Sequence, residues 1–116
     1  MTKGKRGPVP GSKVRGSTTG RPVMAALDML GRRWALRVLF ELSTEPAGFR
    51  ELQGRCEKIS ASVLNTRLHE LQEATVVELR PDGKWHLSAL GAELMKAVGG
   101  LRAWSTKWAE ALGTEL

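Results

Sequence analysis

The chain has 116 residues, with 18 Lys plus Arg against 12 Asp plus Glu, one Cys, two His, four Trp and no Tyr. One domain of this size buries roughly 60–70% of the surface its unfolded chain exposes, enough for a core without covalent staples. A single Cys excludes an internal disulfide and every zinc site built on cysteine pairs, and no stretch approaches the roughly 20 apolar residues of a membrane-spanning helix.

Residues 1–21 hold Lys3, Lys5, Arg6, Lys13, Arg15 and Arg21 and no acid, which leaves 12 basic against 12 acidic residues from Pro22 onward. The net charge of +6 therefore lies entirely in this first segment. It is rich in Gly, Pro, Ser and Thr, and only Val9 and Val14 are sizeable apolar groups beyond Met1, so burial cannot offset its ordering entropy. Residues 1–20 are expected to form a disordered basic arm ahead of one domain spanning residues 21–116. Such an arm is attracted to polyanions and reads either as a DNA-tracking extension or as a solubilising leader. The first cations have no apolar run behind them, so no secretory signal is expected and the cytoplasm is the expected compartment.

Val23, Leu27 and Leu30 recur at i, i+4 and i+7 and predict a first helix that stops at Gly31. A second helix is expected from about Arg33 to Ser43, with Trp34, Val38 and Leu42 on one stripe and Leu36, Leu39 and Phe40 widening it, hence central and mostly buried. Pro46 and Gly48 mark a loop. Phe49, Leu52 and Cys56 then define a short third helix that points Cys56 inward, as a small buried hydrophobe rather than a redox or ligating group.

Ser60 is placed to N-cap a fourth helix whose apolar stripe is Val63, Leu64, Leu68 and Leu71. Ala61, Ser62, Asn65, Thr66, His69 and Gln72 project from the opposite face, with Arg67 at its flank. Two helices joined by a short connection, the second presenting short hydrogen-bonding groups, is the arrangement of a recognition helix in a major groove; the competing reading is an ordinary solvated face. His69 likewise reads as base-facing or as a surface imidazole beside Glu73 at i+4.

Val76–Leu79 and Trp85–Leu87 are β-prone runs around Arg80-Pro81-Asp82-Gly83-Lys84, in which Pro presets one φ and Gly accepts a positive one. Arg80 and Lys84 stand at the tip of this predicted hairpin. The expected fold is therefore mainly α, a winged helix-turn-helix with a small β-hairpin wing. Ser88 then caps a long C-terminal dimerisation helix carrying Leu90, Leu94, Val98, Leu101, Trp104, Trp108 and Leu112. That stripe outruns one small domain, and a second copy of the chain is the simplest cover for it. Gly99-Gly100 is a kink point within the helix. Trp34, Trp104 and Trp108 read either as lining for a ligand pocket or dimer interface, with a small aromatic effector as the partner, or as plain core. No nucleophile motif or Gly-rich phosphate loop is present and neither His has a catalytic partner, so no enzyme activity, metal or cofactor is expected.

Pro22-Val23 leading into Ala26-Leu27-Asp28, then Gly31-Arg32-Arg33-Trp34, Phe49-Arg50-Glu51-Leu52, Ile59-Ser60, Leu64, Leu68-His69-Glu70-Leu71 and Leu87-Ser88-Ala89-Leu90-Gly91 succeed one another in a definite order. Over roughly residues 21 to 110 that order resembles the HxlR-type winged helix-turn-helix regulators, a branch related to the MarR-like transcription factors. The resemblance implies homodimers, built from the first and last helices, that bind pseudo-palindromic operators in double-stranded DNA and repress or activate nearby genes. On this reading the helix at about 60–73 enters the major groove with Ala61, Ser62, Asn65, Thr66 and His69 toward base edges. Asn65 is the best adenine contact, since its amide can pair with N6 and N7 for about 1–3 kcal/mol of discrimination. Arg67, Arg80, Lys84 and the arm would hold phosphates, the wing at 80–84 lying on the backbone or minor groove. The rival readings are a winged-helix protein-interaction module and a nonspecific nucleic-acid-binding protein driven by the arm.

The chain departs from the family pattern in ways that matter. Arg21 stands where relatives often carry a redox-active Cys, which removes that route of thiol sensing. Ser60-Ala61-Ser62 replaces longer polar or basic groups, and the wing loop is shorter. Thr75 stands where relatives often end the recognition helix with Gly; a β-branched residue resists the left-handed conformation of such a cap, which predicts a less sharp exit.

Overall fold

The computed structural model describes residues 7–11, 13–14 and 20–114. Helix α1 (Pro22–Gly31) begins on a proline whose missing N–H costs nothing at the first helical position. It turns Ala25, Asp28 and Met29 inward. Val23 and Leu27 stand on the other side, 60% and 59% exposed, so the apolar face read from their spacing is largely the outward one.

Helix α2 (Ala35–Thr44) is the centre of the domain, in contact with α1, α3, α4, α5 and β2. Its Val38, Leu39 and Leu42 are buried against Leu52 and Cys56 from the α3 region, the α4 leucines, and Val76, Val77 and Trp85 from the wing. Helix α3 (Phe49–Arg55) is held at its start by Glu51, whose Oε1 accepts the Gly48 N–H at 3.2 Å. Cys56 follows it fully buried, and desolvation pushes its thiol up from the usual range, in keeping with a small core hydrophobe.

Helix α4 (Ala61–Glu73) starts on Ser60, whose Oγ accepts the Val63 N–H at 3.2 Å. It buries Leu64, Leu68 and Leu71. Its exit corrects the expectation placed on Thr75. That residue takes φ = 63°, and the Thr75 and Val76 N–H groups donate to the Gln72 and Leu71 carbonyls at 2.9 and 3.1 Å. Both bonds of a left-handed helix cap are therefore made, and the turn is as sharp as a glycine would give. Burial of Val76 and Val77 directly after the cap outweighs the steric preference of the β-branched residue.

Strands β1 (Val77–Leu79) and β2 (Trp85–Leu87) pair antiparallel in the register Val77 with Leu87, Glu78 with His86 and Leu79 with Trp85. Gly83 at the tip has φ = 79°, the positive value the turn requires. Ala47, read as part of a loop, forms a further bridge with Trp85 through N–H to carbonyl bonds of 3.1 and 2.8 Å, which ties the wing to the α2–α3 connection.

Ser88 caps as expected, accepting the Gly91 N–H at 2.9 Å, but the C-terminal helix is divided. Helix α5 (Ala89–Ala97) ends at Val98, and α6 (Gly100–Ala111) begins after Gly99. At the break the Gly99 and Leu101 N–H groups donate to the Lys96 and Val98 carbonyls, so the two glycines interrupt the helix where a kink was anticipated. The arm departs from expectation at one place: Gly7, Pro8 and Val9 are buried against the domain. Lys3, Lys5, Arg6 and Arg15 lie outside the described residues.

Candidate nucleic-acid interface

Burial of Leu64, Leu68 and Leu71 fixes the rotation of α4 about its axis. At 3.6 residues per turn, the opposite face then carries Ala61, Ser62, Asn65, Thr66 and His69, and all five are exposed. The site residues expected on this helix thus form one outward surface. Thr66 Oγ1 donates to the Ser62 carbonyl at 3.0 Å, which leaves its lone pairs outward. His69 Nδ1 lies 2.8 Å from the Asn65 carbonyl. Only an Nδ1–H can bond there, so the neutral ring presents Nε2 outward as an acceptor. His69 is therefore not paired with Glu73, the partner that its i+4 spacing suggested.

A partly buried ion cluster holds the helix from behind. Glu70 accepts Arg32 Nη1 at 2.6 Å on one oxygen and Arg67 Nη1 at 2.8 Å on the other. Arg32 Nη2 also reaches Asp28 of α1 at 3.5 Å, and Arg67 Nε donates to the Arg33 carbonyl at 2.7 Å. Arg67 was expected on a phosphate. Its side chain is instead 18% exposed, with two short bonds inside the chain that pin α4 to the α1–α2 connection. Sequence reasoning missed this role because Arg32 and Glu70 are 38 residues apart; only the Arg67–Glu70 spacing of three was legible.

The wing presents Arg80 and Lys84 as exposed cations. Arg80 Nε is tied to Glu78 at 2.7 Å, which orients the guanidinium. Asp82 organises the turn: its Oδ1 accepts the Lys84 N–H and its Oδ2 faces His86 Nε2, both at 2.9 Å. The Lys84 N–H, then His86, hold this carboxyl below the usual carboxylate range. Among the described arm cations, Lys13 and Arg21 are exposed.

The tryptophans do not form one pocket. Trp34, at φ = 76°, packs partly buried at the start of α2. Trp104 and Trp108 stack on each other on α6 with centroids 5.3 Å apart, each 54% exposed. An open cavity of about 620 Å³ lies instead between α2, α5 and α6, against Leu36, Phe40, Met95, Val98, Leu101 and Arg102. No residue of α6 is fully buried, and its Leu101, Trp104, Trp108 and Leu112 form one exposed apolar stripe. Among the described residues no helix is long and apolar enough to cross a membrane, and no group of three or more His, Cys, Asp or Glu is placed to hold a metal ion.

A central helix, a capped helix with a short-polar outer face and a cation-tipped hairpin define a winged helix-turn-helix protein. The HxlR-like helix-turn-helix family matches residues 29–112, and the chain belongs to that family. It is similar to the helix-turn-helix-type transcriptional regulator YvaP of Bacillus subtilis strain 168, with 29% identity over 89 residues, 72% of this chain and 82% of that protein. Two solved structures of YodB from B. subtilis superpose on the fold. The reduced form has 29% identity and a TM-score of 0.67 over 78% of this chain and 95% of that one. The quinone-bound form has 27% identity and a TM-score of 0.68 over 73% and 94%. The chain is thus a helix-turn-helix, DNA-binding transcriptional regulator, not an enzyme.

Proposed function

We propose that the chain acts as a homodimer on a pseudo-palindromic operator, with α4 in the major groove and the wing on the adjacent backbone or minor groove. The observation that carries this reading is the opposition of two faces: a rigidly held polar stripe on α4 and an uncovered apolar stripe on α6. Ala61, Ser62, Asn65, Thr66 and His69 face base edges, with the Asn65 amide suited to adenine. Arg80, Lys84 and the arm cations contact phosphates, and Arg67 serves by orienting α4 through Glu70. Val23 and Leu27 of α1 join Leu101, Trp104, Trp108 and Leu112 of α6 in the dimer face, and two such recognition helices related by a two-fold axis require a two-fold symmetric site.

Selection from randomised duplexes tests this, with the full chain and a version starting at Arg21 side by side. Enrichment of one symmetric motif by both is the expected result. Binding only by the full chain, at low salt and without a motif, would leave an arm-driven nonspecific binder; no binding by either would leave a protein-interaction module. On the selected motif, Lys84→Ala should flatten the dependence of log K on log salt by roughly one unit.

A small aromatic effector is the second part of the reading. It is supported by the quinone bound to the similar protein YodB and by the apolar cavity beside α6. Planar aromatic compounds should raise Tm saturably, and Phe40→Ala should weaken that response; no response to any such compound would remove the effector.

A further inference from the structure

Arg33 is held beside the recognition helix by its backbone, not by its side chain. Its carbonyl accepts Arg67 Nε of α4 at 2.7 Å. The Ala35 N–H donates to the Arg32 carbonyl at 3.0 Å, which makes Arg33 and Trp34 the two central residues of a tight turn. Trp34 has φ = 76° and ψ = −11° while φ of Arg33 is not positive, the combination that a type II turn requires. The Arg33 side chain stands outside this bonding and is exposed. Among the described residues its guanidinium has no acidic partner; it lies over the Trp34 ring, 5.9 Å from the centroid. A stack on a partly buried ring orients a cation without neutralising it.

The turn has a definite relation to the base-facing surface. Arg67 directly follows Thr66, and successive helix residues are rotated by about 100° around the axis. Val63, Arg67 and Glu70 therefore line the flank next to the row of Ser62, Thr66 and His69. A helix about 10–12 Å across fills a major groove about 12 Å wide, so groups at its flank meet the sugar-phosphate wall, not the base edges. Arg32 and Arg67 are directed onto Asp28 and Glu70, two formal positive charges against two negative ones. The bond that takes Arg67 away from phosphate is the same one that sets Arg33, and its unopposed charge, at this flank.

We propose that Arg33 is a phosphate-contacting residue: with α4 in the major groove, its guanidinium engages the backbone of the strand that runs along the Arg67 flank. This rests on the major-groove reading proposed for α4. A guanidinium presents paired N–H donors that match two phosphate oxygens, and the stack on Trp34 removes part of its rotational freedom before DNA arrives. Arg67 then acts through its neighbour, as a positioning residue that fixes the Arg33 backbone against α4.

The test uses the full chain on the duplex obtained by selection, across a salt series, and compares the parent with Arg33→Gln, Arg33→Lys and Lys96→Gln. None of these side-chain changes touches the Arg33 carbonyl that Arg67 holds. Arg33→Gln should weaken binding on the order of tenfold at low salt and flatten the salt slope by about one unit for each half-site occupied. Arg33→Lys should keep the slope and recover part of the affinity, since an ammonium holds the charge without the paired donors. Lys96→Gln removes an equal charge from exposed α5 and should leave the slope unchanged. A scan that replaces one phosphate per half-site by an uncharged methylphosphonate should find a position that weakens the parent and not Arg33→Gln.

An unaltered slope in Arg33→Gln would overturn the contact, and a fall in affinity accompanied only by a lower Tm would assign the residue to packing instead. An equal flattening in Lys96→Gln would mean that the slope follows net charge, and would overturn it as well. If the parent selects no motif, the major-groove reading fails and the inference with it; a selected motif with no silent phosphate in Arg33→Gln sinks the inference alone.

Discussion

Among single residues, Thr75 at the exit of α4 shows a local preference overruled by its two successors in the chain. An L-residue in the left-handed region costs about 1–2 kcal/mol, and Thr75 sits there because Val76 and Val77 must enter the core immediately after α4. Thr75→Gly should therefore stabilise the domain by about 0.5–1 kcal/mol, measured by denaturant unfolding, because the relieved strain exceeds the backbone entropy that Gly adds to the unfolded state. A destabilisation would mean that the Thr75 side chain makes a contribution of its own.

The wing turn carries a second residue-level consequence. Asp82 accepts the Lys84 N–H as a carboxylate, and its folded titration lies below its ordinary value of 3.8. A depressed carboxyl stabilises above its unfolded value and stops doing so as pH falls through the folded one. The Lys84 amide resonance should accordingly hold its position from neutral pH down to about 4 and move below that range. Asp82→Asn should abolish that acid limb; an identical limb in this variant would assign it to another carboxyl.

Among the elements, α5 is the piece whose position depends on a missing side chain. Gly91 lies on the Val76 carbonyl and the Leu87 side chain, so close that a β-carbon would overlap the carbonyl oxygen. Gly91→Ala must push α5 off the wing, at a cost of about 2 kcal/mol and a fall in Tm of about 10 °C. A Tm within a degree or two of the parent would show that α5 can shift freely. The same approach joins Ser88, whose Oγ donates to the Thr75 carbonyl at 2.6 Å and whose N–H reaches Val76, so helix exit, wing and α5 form one unit. The sequence marked Leu87-Ser88-Ala89-Leu90-Gly91 as a run carrying the resemblance, but not the reason for its glycine, since the Val76 carbonyl that Gly91 must approach lies outside that run.

For the whole molecule, the decisive feature is the face left uncovered. Leu101, Trp104, Trp108 and Leu112 share one stripe of α6, and Val23 and Leu27 are similarly open on α1. Trp104→Glu combined with Trp108→Glu should leave the helical content of the domain intact while converting a dimer into a monomer by sedimentation. Affinity for a two-fold symmetric operator should fall at least a hundredfold, since half the contacts are lost. A parent chain that sediments as a monomer would remove the dimer from the proposed function.

Short-range periodicity, local chemistry and the order of the motifs along the chain carried what was legible in the residues alone. The leucine spacing placed α4 and hence its outward residues; Ser60 and Ser88 marked helix starts; Pro81, Asp82 and Gly83 marked the hairpin. These rest on contacts within a turn or two, for which residue type and spacing suffice. The tertiary structure decided the contacts between groups distant along the chain. It turned Arg67 from an available cation into a strut through Glu70 and Arg32, kept Trp34 away from Trp104 and Trp108, left Val23 and Leu27 outward, and seated Gly7 on Glu73 across 66 residues. A charge or an apolar side chain has no fixed role until a neighbour is brought to it, and which neighbour arrives is set by how the helices close on one core.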